Sequence, residues 1–345
     1  MLTASHGRWL RAASFRFRWL RCDRYGSHCK PLASRSASRA RYCLTQRDVA
    51  HTLEVSVVAS NAWGRTSSTS RATAEVKSRS YQSVLFWLAW DGGALDKIPW
   101  QAVTQIDLFS LSTCVKAADP AADCTGPASL SQQFNGVSDV GSFVSTVHRH
   151  GKLAMISIGG SDNPNWYYPC SPSNVAVFAR NLVSYMKSNR FDGIDLDIEQ
   201  DGGTGSPALT ATDLRACTKA VYDDAAAIKT ALGATPRLTS DVDPTTDFDI
   251  GQIQNPYVGQ FNAMSYGATG PALASQIRAL ETNSGIPGSK ITAGLDIGDY
   301  PPPRSDCAGT AKYAAANGLA GAMLFYGQAD APAYSCLTAI APYVR

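Results

Sequence analysis

Several absences bound this 345-residue sequence before any motif is read. No apolar run reaches the roughly 18 residues of a membrane-crossing helix, so no membrane span is expected. No CxxC pair occurs, and His6, His28, His51, His148 and His150 do not fall at zinc-ligand spacings near the cysteines. No metal or other cofactor is therefore expected. No GxGxxG follows an early strand, and "DGGTG" (201–205) lacks that spacing, which removes the dinucleotide fingerprint. Charge is scarce at 17%, while a hydrophobic fraction of 44% is ample for a core, so global disorder is excluded.

What charge there is divides unevenly. Residues 1–80 carry 15 Lys/Arg and 4 Asp/Glu, or +11; residues 81–345 carry the remaining 16 and 24, or −8, giving the net +3. The basic front has no compact Lys/Arg run and spreads its arginines through strand-like alternation, so nucleic acid is not an expected partner.

Nine cysteines without metal spacing point to disulfides and an oxidising compartment, hence to a secreted or cell-surface protein. Short separations suggest Cys22–Cys29, Cys114–Cys124 and Cys307–Cys336, with Cys170–Cys217 as a further pair and Cys43 left over. The start "MLTASHGRWLRAASFRFRWL" has no apolar h-region, so either export follows another route or this reading frame opens inside a longer gene.

The rhythm of the chain changes near residue 81. Before it, "SFRFRWLRCD" and "HTLEVSVVASNAWG" alternate at period two between turn-rich stretches. This front part, residues 1–80, resembles the small Ig-like sandwich repeats of bacterial surface and secreted proteins, with Met1 lying inside the domain. From residue 81, eight short apolar runs follow, at 83–90, 105–113, 152–160, 191–199, 237–244, 259–267, 290–298 and 319–327. Helix patterns separate most of the later ones. Strand–helix alternation implies a parallel sheet, and eight repeats match an α/β fold of the (β/α)8 TIM barrel type over residues 81–345; a doubly wound open sheet is the alternative.

The fourth run, "FDGIDLDIE", is a strand that carries acids. Alternation puts Asp195, Asp197 and Glu199 on one face and Ile194, Leu196 and Ile198 on the other. In a barrel the acids line the interior and climb toward the C-terminal mouth, where barrel active sites lie. Same-face neighbours stand only about 6–7 Å apart, so they cannot all ionise, and at least one keeps a proton for acid catalysis. A calcium loop would need flexible residues where Ile, Leu and Ile stand. An exposed acidic edge strand would leave the eightfold pattern unused.

These residues resemble a family. "DGIDLDIE" is similar to the DGxDxDxE signature of family 18 glycoside hydrolases, which include the chitinases. "SIGG" (157–160), "QFNAMSY" (260–266) and "GAMLF" (321–325) resemble that family's strand-three, strand-six and strand-eight motifs in order and place. Two positions depart: Gly267 stands where Asp commonly follows the tyrosine, and Phe325 stands where Trp is usual. No room is left for the extra domain that walls the cleft in some members, which implies an open, shallow cleft.

The resemblance implies roles. Glu199 is the acid that protonates the glycosidic oxygen, Asp197 steadies the acetamide, Asp195 shares a proton with Asp197, and Tyr266 donates to the acetamide oxygen. Ser157, Gly159, Gly160, Gln260, Met264 and Phe325 belong to the substrate-binding motifs. Among the aromatics Trp87, Trp90, Trp166, Tyr167, Tyr168 and Tyr300, the expected sugar platforms are Trp87 and, best placed, Trp166 in "NPNWYYPC" (163–170). Asp192 is read as a supporting residue. The expected function is a monomeric hydrolase of chitin or N-acetylglucosamine oligosaccharides, by retaining, substrate-assisted cleavage of β-1,4 bonds. The alternatives are an endo-acting N-glycan hydrolase and a chitin-binding lectin on the same barrel; the presence of Glu199 speaks against the lectin.

Overall fold

The computed structural model describes residues 2–11, 14–32, 38–42, 44, 46–48, 51–76, 81–113, 131–132, 139–161, 166–199, 209–301 and 305–344. The chain divides into two compact units, Met1–Arg79 and Ser80–Arg345.

The first unit is all β. Its strands are β1 (Leu2–Thr3), β2 (Ser14–Cys22), β3 (Lys30–Pro31), β4 (Arg41–Tyr42), β5 (Thr52–Asn61) and β6 (Gly64–Thr69). They form an antiparallel sheet in the order β3-β2-β5-β6 and a separate β1-β4 pair. The period-two pattern works as expected: Trp19 turns inward between exposed Arg18 and half-exposed Leu20, and packs with Tyr42, Leu53 and Val55. The buried Asp48 accepts from Arg21 at 2.6 Å and from the Tyr42 hydroxyl at 3.0 Å. Cys22 and Cys29 are joined across the β2–β3 turn.

The second unit contains a closed parallel barrel. Its strands are β7 (Gln82–Leu88), β8 (Gln105–Ser112), β10 (Leu153–Gly159), β11 (Gly193–Asp197), β12 (Arg237–Val242), β13 (Gln260–Ala263), β14 (Ile291–Asp296) and β15 (Gly321–Phe325). Each pairs parallel to the next, and β15 returns to β7. A short β9 (Ser131–Gln132) adds antiparallel to the end of β8. These strands coincide with the eight runs read from sequence.

Around them lie α1 (Val140–Arg149), α2 (Tyr167–Cys170), α3 (Val175–Ser188), α4 (Ala211–Ala226), α5 (Phe248–Gln254), α6 (Gly270–Ala279), α7 (Cys307–Asn317) and α8 (Ser335–Ile340). Helix α3 buries Phe178, Ala179, Leu182, Val183 and Met186, a stripe at helical spacing. Each large side chain so buried contributes roughly 1.5–3 kcal/mol. Helix α4 starts at the N-cap Thr210, whose hydroxyl accepts from Asp213 N–H and donates to its carboxylate. The sequence pattern extends α4 to Gly233, but the helix stops at Ala226. Beyond it the Thr230 hydroxyl takes the Leu232 N–H and Gly233 turns left-handed, which replaces helical bonds with a turn. Two 3-10 turns, Leu95–Lys97 and Trp100–Ala102, stand where a helix would follow β7.

Cys170–Cys217 and Cys307–Cys336 are bonded, as the spacing suggested. Cys43 and the expected Cys114–Cys124 pair lie outside the described residues. No helix among the described residues is long and apolar enough to cross a membrane.

Candidate active site

Alternation fixes what fills the barrel. The odd members of β11 face inward as Gly193, Asp195 and Asp197, while Ile194 and Leu196 pack outward in the main core. The same rule turns Gln105, Asp107 and Phe109 inward on β8. A register shift between Ile156 and Ile158 on β10, opposite Leu108–Leu111, absorbs Ser110 as an extra residue. Leu108 and Leu111 both stay in the outer core because of it.

The interior is two-sided. One half is apolar: Val84, Phe86, Leu88, Phe109 and Met323 cluster, with Tyr266, Phe325 and Tyr326 packed against them. The other half is acidic and hydroxylic, built from β8, β10, β11, β12 and β13. At the bottom Arg237 donates to Gln82 and Gln105, and Gln105 donates to both oxygens of Asp107.

Asp195 is the centre of the acidic half and is fully buried. It accepts from Ser157 Oγ at 2.8 Å, Thr239 Oγ1 at 2.5 Å and Asn262 Nδ2 at 3.3 Å, and it is hydrogen-bonded to Asp241. Burial pushes Asp195 above the usual carboxylate range, and these donors pull it back. Burial and then Asp195 drive both Asp107 and Asp241 well above that range. The acids coexist because the one with the most hydrogen-bond donors is best able to hold a charge, while burial and its presence favour the protonated form of its neighbours.

Asp197 sits one step higher. Its backbone carbonyl accepts from Gly160 N–H at 3.0 Å and Trp166 Nε1–H at 3.3 Å. Its Oδ1 is buried with no protein partner. Burial, then Glu199, then Asp195 hold its carboxyl well above the ordinary range. Glu199 follows the strand end, half-buried, on the wall of a cavity of about 460 Å³ that Leu214, Asp243, Asp247 and Ile250 also line. Tyr266 is half-buried at the end of the β13 segment, and burial followed by Asp241 and Asp197 pushes its hydroxyl well above the usual phenol value. It is therefore a hydrogen-bond donor at any ordinary pH.

The sequence-predicted residues separate into three groups. Asp195, Asp197, Tyr266, Ser157, Gly159, Gly160 and Phe325 converge at the mouth and upper interior. Gln260 lies lower, and its Nε2 supports Asn262 Oδ1 at 3.0 Å. Met264 continues that strand, half-exposed, with its N–H on Val242 O. Trp87 and Trp166 are not open sugar platforms. Trp87 is on the outward face of β7, 2% exposed, in the core between sheet and helices. Trp166 is also 2% exposed, edge-on to Phe178. Trp90 is the aromatic that stays open, 39% exposed and 5.7 Å from Phe109. Asp192 faces away from the ladder, where its Oδ2 accepts from Ala154 N–H and meets His148 Nε2. Sequence reasoning missed Asp107, Asp241 and Asn262, although period two on their own strands places all three inside.

The family model for glycosyl hydrolases family 18 matches residues 83–297, more than half of the chain. The chain belongs to that family. Among curated protein sequences none matches it. Its fold is that of several solved chitinases. A chitinase from Rhizomucor miehei is 18% identical with a TM-score of 0.59, over 76% of this chain and 99% of that one. A class V chitinase from Nicotiana tobaccum, solved as a point mutant in complex with NAG4, is 14% identical with a TM-score of 0.58, over 76% and 98%. The multi-modular, cell-surface-expressed chitinase ChiW of a Paenibacillus species is 14% identical with a TM-score of 0.63. It is matched over 95% of this chain but only 38% of its own.

As a family 18 chain it has two local substitutions that the structure explains. Gly267 has a φ of +69°, and a Cβ there would meet the Tyr300 ring at 2.8 Å, so the ring fills the space a side chain at 267 would take. Phe325 stacks on Tyr266 at 5.9 Å and meets Phe109 edge-on at 5.5 Å, which builds an aromatic floor from several rings instead of one indole. The resemblance implied a proton shared between Asp195 and Asp197; Asp241 is a second carboxyl close enough to Asp195 to share one. Only residues 297–306 separate β14 from α7, too few for an inserted domain at that connection.

Proposed function

We propose that this protein hydrolyses the β-1,4 bonds of chitin and N-acetylglucosamine oligosaccharides by a retaining, substrate-assisted route. The observation that carries the reading is the buried, unpartnered Oδ1 of Asp197 between Glu199 and the saturated Asp195. Such an oxygen calls for a donor from a ligand, and the N–H of a 2-acetamido group supplies one.

Glu199 gives its proton to the glycosidic oxygen as the bond to the anomeric carbon breaks. The substrate's own acetamide oxygen attacks that carbon, as is known of family 18. Asp197 holds the acetamide N–H and steadies the positive charge of the cyclic intermediate. Tyr266 donates to the acetamide oxygen, and Glu199 then takes a proton from the incoming water as the water oxygen bonds to the anomeric carbon and the bond to the acetamide oxygen breaks. Sugar faces lie against Phe325, Phe109 and Trp90.

The deciding experiment compares chitin oligosaccharides with a high-mannose glycopeptide and follows the fresh product by NMR. Cleavage of the oligosaccharides with the β anomer released first is the expected result. Cleavage of the glycopeptide alone would move the protein to N-glycan processing, and an early α anomer would overturn the acetamide as nucleophile. The three disulfides support export to an oxidising compartment, and the antiparallel front unit supports an Ig-like domain.

A further inference from the structure

Asp241 lies outside every motif that led to the site, yet it is 3% exposed, points inward from β12 and is hydrogen-bonded to Asp195. Two carboxyl groups joined by a hydrogen bond hold at least one proton between them. Asp195 already accepts from Ser157, Thr239 and Asn262. The direction of Asn262 is fixed, because its Oδ1 takes Gln260 Nε2–H at 3.0 Å and Thr292 Oγ1–H at 2.7 Å and so its amide hydrogens face the acids. Asp241 has fewer donors, and its Oδ1 is buried without a protein partner. The proton therefore rests on Asp241 and is donated to Asp195.

We propose that Asp241 is a positioning residue for the reaction: its proton completes the donor shell of Asp195, which leaves the Asp197 carboxyl free to turn between Glu199 and the sugar. This rests on the reading of the site as a substrate-assisted glycosidase. The groups that face Asp241 are Asp195 and Asp197 from β11, Asn262 from β13 and the Tyr266 hydroxyl; Asp107 from β8 faces Asp195. Burial, then Asp195 and Asp197, raise the Asp241 carboxyl well above its ordinary range, which favours its protonated form.

The test uses Asp241→Ala and Asp241→Asn in the full chain, with kcat and KM on chitin oligosaccharides across pH. Asp241→Ala should lower kcat about 10–100-fold, the loss of one hydrogen bond to a charged group, with KM little changed. Asp241→Asn keeps a donor toward Asp195 and should recover most of that loss. Its alkaline limb should move to higher pH, because an amide has no proton to lose there. An Ala variant with wild-type kcat would overturn the proposal, as would an Asn variant with the wild-type pH profile. A second readout needs no turnover. A group whose folded pKa is raised stabilises the fold below its unfolded pKa, and that stability is lost as pH rises through the folded value. Thermal unfolding of the wild type should carry such a loss that Asp241→Asn lacks. Identical pH dependence in both would sink the proton assignment. Should the wild type cleave no acetamido sugar, the proposed function fails, and the unfolding comparison still decides where the proton sits.

Discussion

Gly159 and Asp197 are register partners on β10 and β11, and no side chain fits between them. A Cβ on Gly159 would lie 2.0 Å from the Asp197 carbonyl oxygen, and the glycine already holds a φ of +112°. Gly160, at +97°, does the same against Phe109. The two glycines let strand three press on the acid ladder and hand a backbone N–H to it.

Gly159→Ala should therefore destabilise the barrel and silence it together. Backbone strain alone costs about 1–3 kcal/mol, before the clash is relieved by moving Asp197. Thermal unfolding and turnover measured on one preparation check this. An unchanged melting temperature would contradict the packing described.

Glu199→Gln should remove hydrolysis and spare sugar binding. The amide is nearly isosteric but cannot protonate the leaving oxygen, a loss of about 10²–10⁴-fold. Calorimetry with a chitin oligosaccharide should give affinity close to wild type, and near-wild-type turnover would show that the acid lies elsewhere.

Tyr266→Phe should lower kcat by about 10²-fold, the loss expected when the hydrogen bond that aims the acetamide oxygen at the anomeric carbon is removed. Burial first, then Asp241 and Asp197, raise the Tyr266 hydroxyl, so it is protonated throughout the working range. The loss should thus be the same factor at every pH. A deficit that vanished at one end of the profile would mean that Tyr266 titrates during the reaction.

Removal of residues 1–80 should leave a folded barrel that cuts soluble oligosaccharides at the wild-type rate, since the second unit has its own core. Circular dichroism and turnover of the trimmed protein test this. Aggregation or inactivity would tie the front unit to catalysis.

Much of this was legible in the residues. Short apolar runs marked all eight barrel strands, and the inward face of "DGIDLDIE" marked Asp195 and Asp197. The aromatics were not legible. Alternation puts Trp87 on the outer face of β7, but nearness to a strand end says nothing of direction. Trp166 sits in a polar, Pro-containing stretch of sequence, yet its indole N–H bonds to Asp197 O instead of facing solvent. Helix α5, seven residues of "FDIGQIQ", is too short to display a helical stripe. Asp241 was overlooked although Asp243 follows it at period two: Asp243 lies past the strand end, so β12 itself carries one inward acid and forms no ladder like that of β11. The meaning of Asp241 comes from Asp195 across the β11–β12 pairing, a contact that sequence distance hides.

The donors around Asp195 come from three neighbouring strands: Ser157 from β10, Thr239 and Asp241 from β12, and Asn262 from β13. A one-residue slip in any of these pairings would turn its donor to the opposite face. The barrel would then enclose an anion short of a partner, at a cost of several kcal/mol. The cluster that prepares the site for chemistry thus also inspects the assembly of the chain. A misregistered barrel fails at the place where an intact one would work.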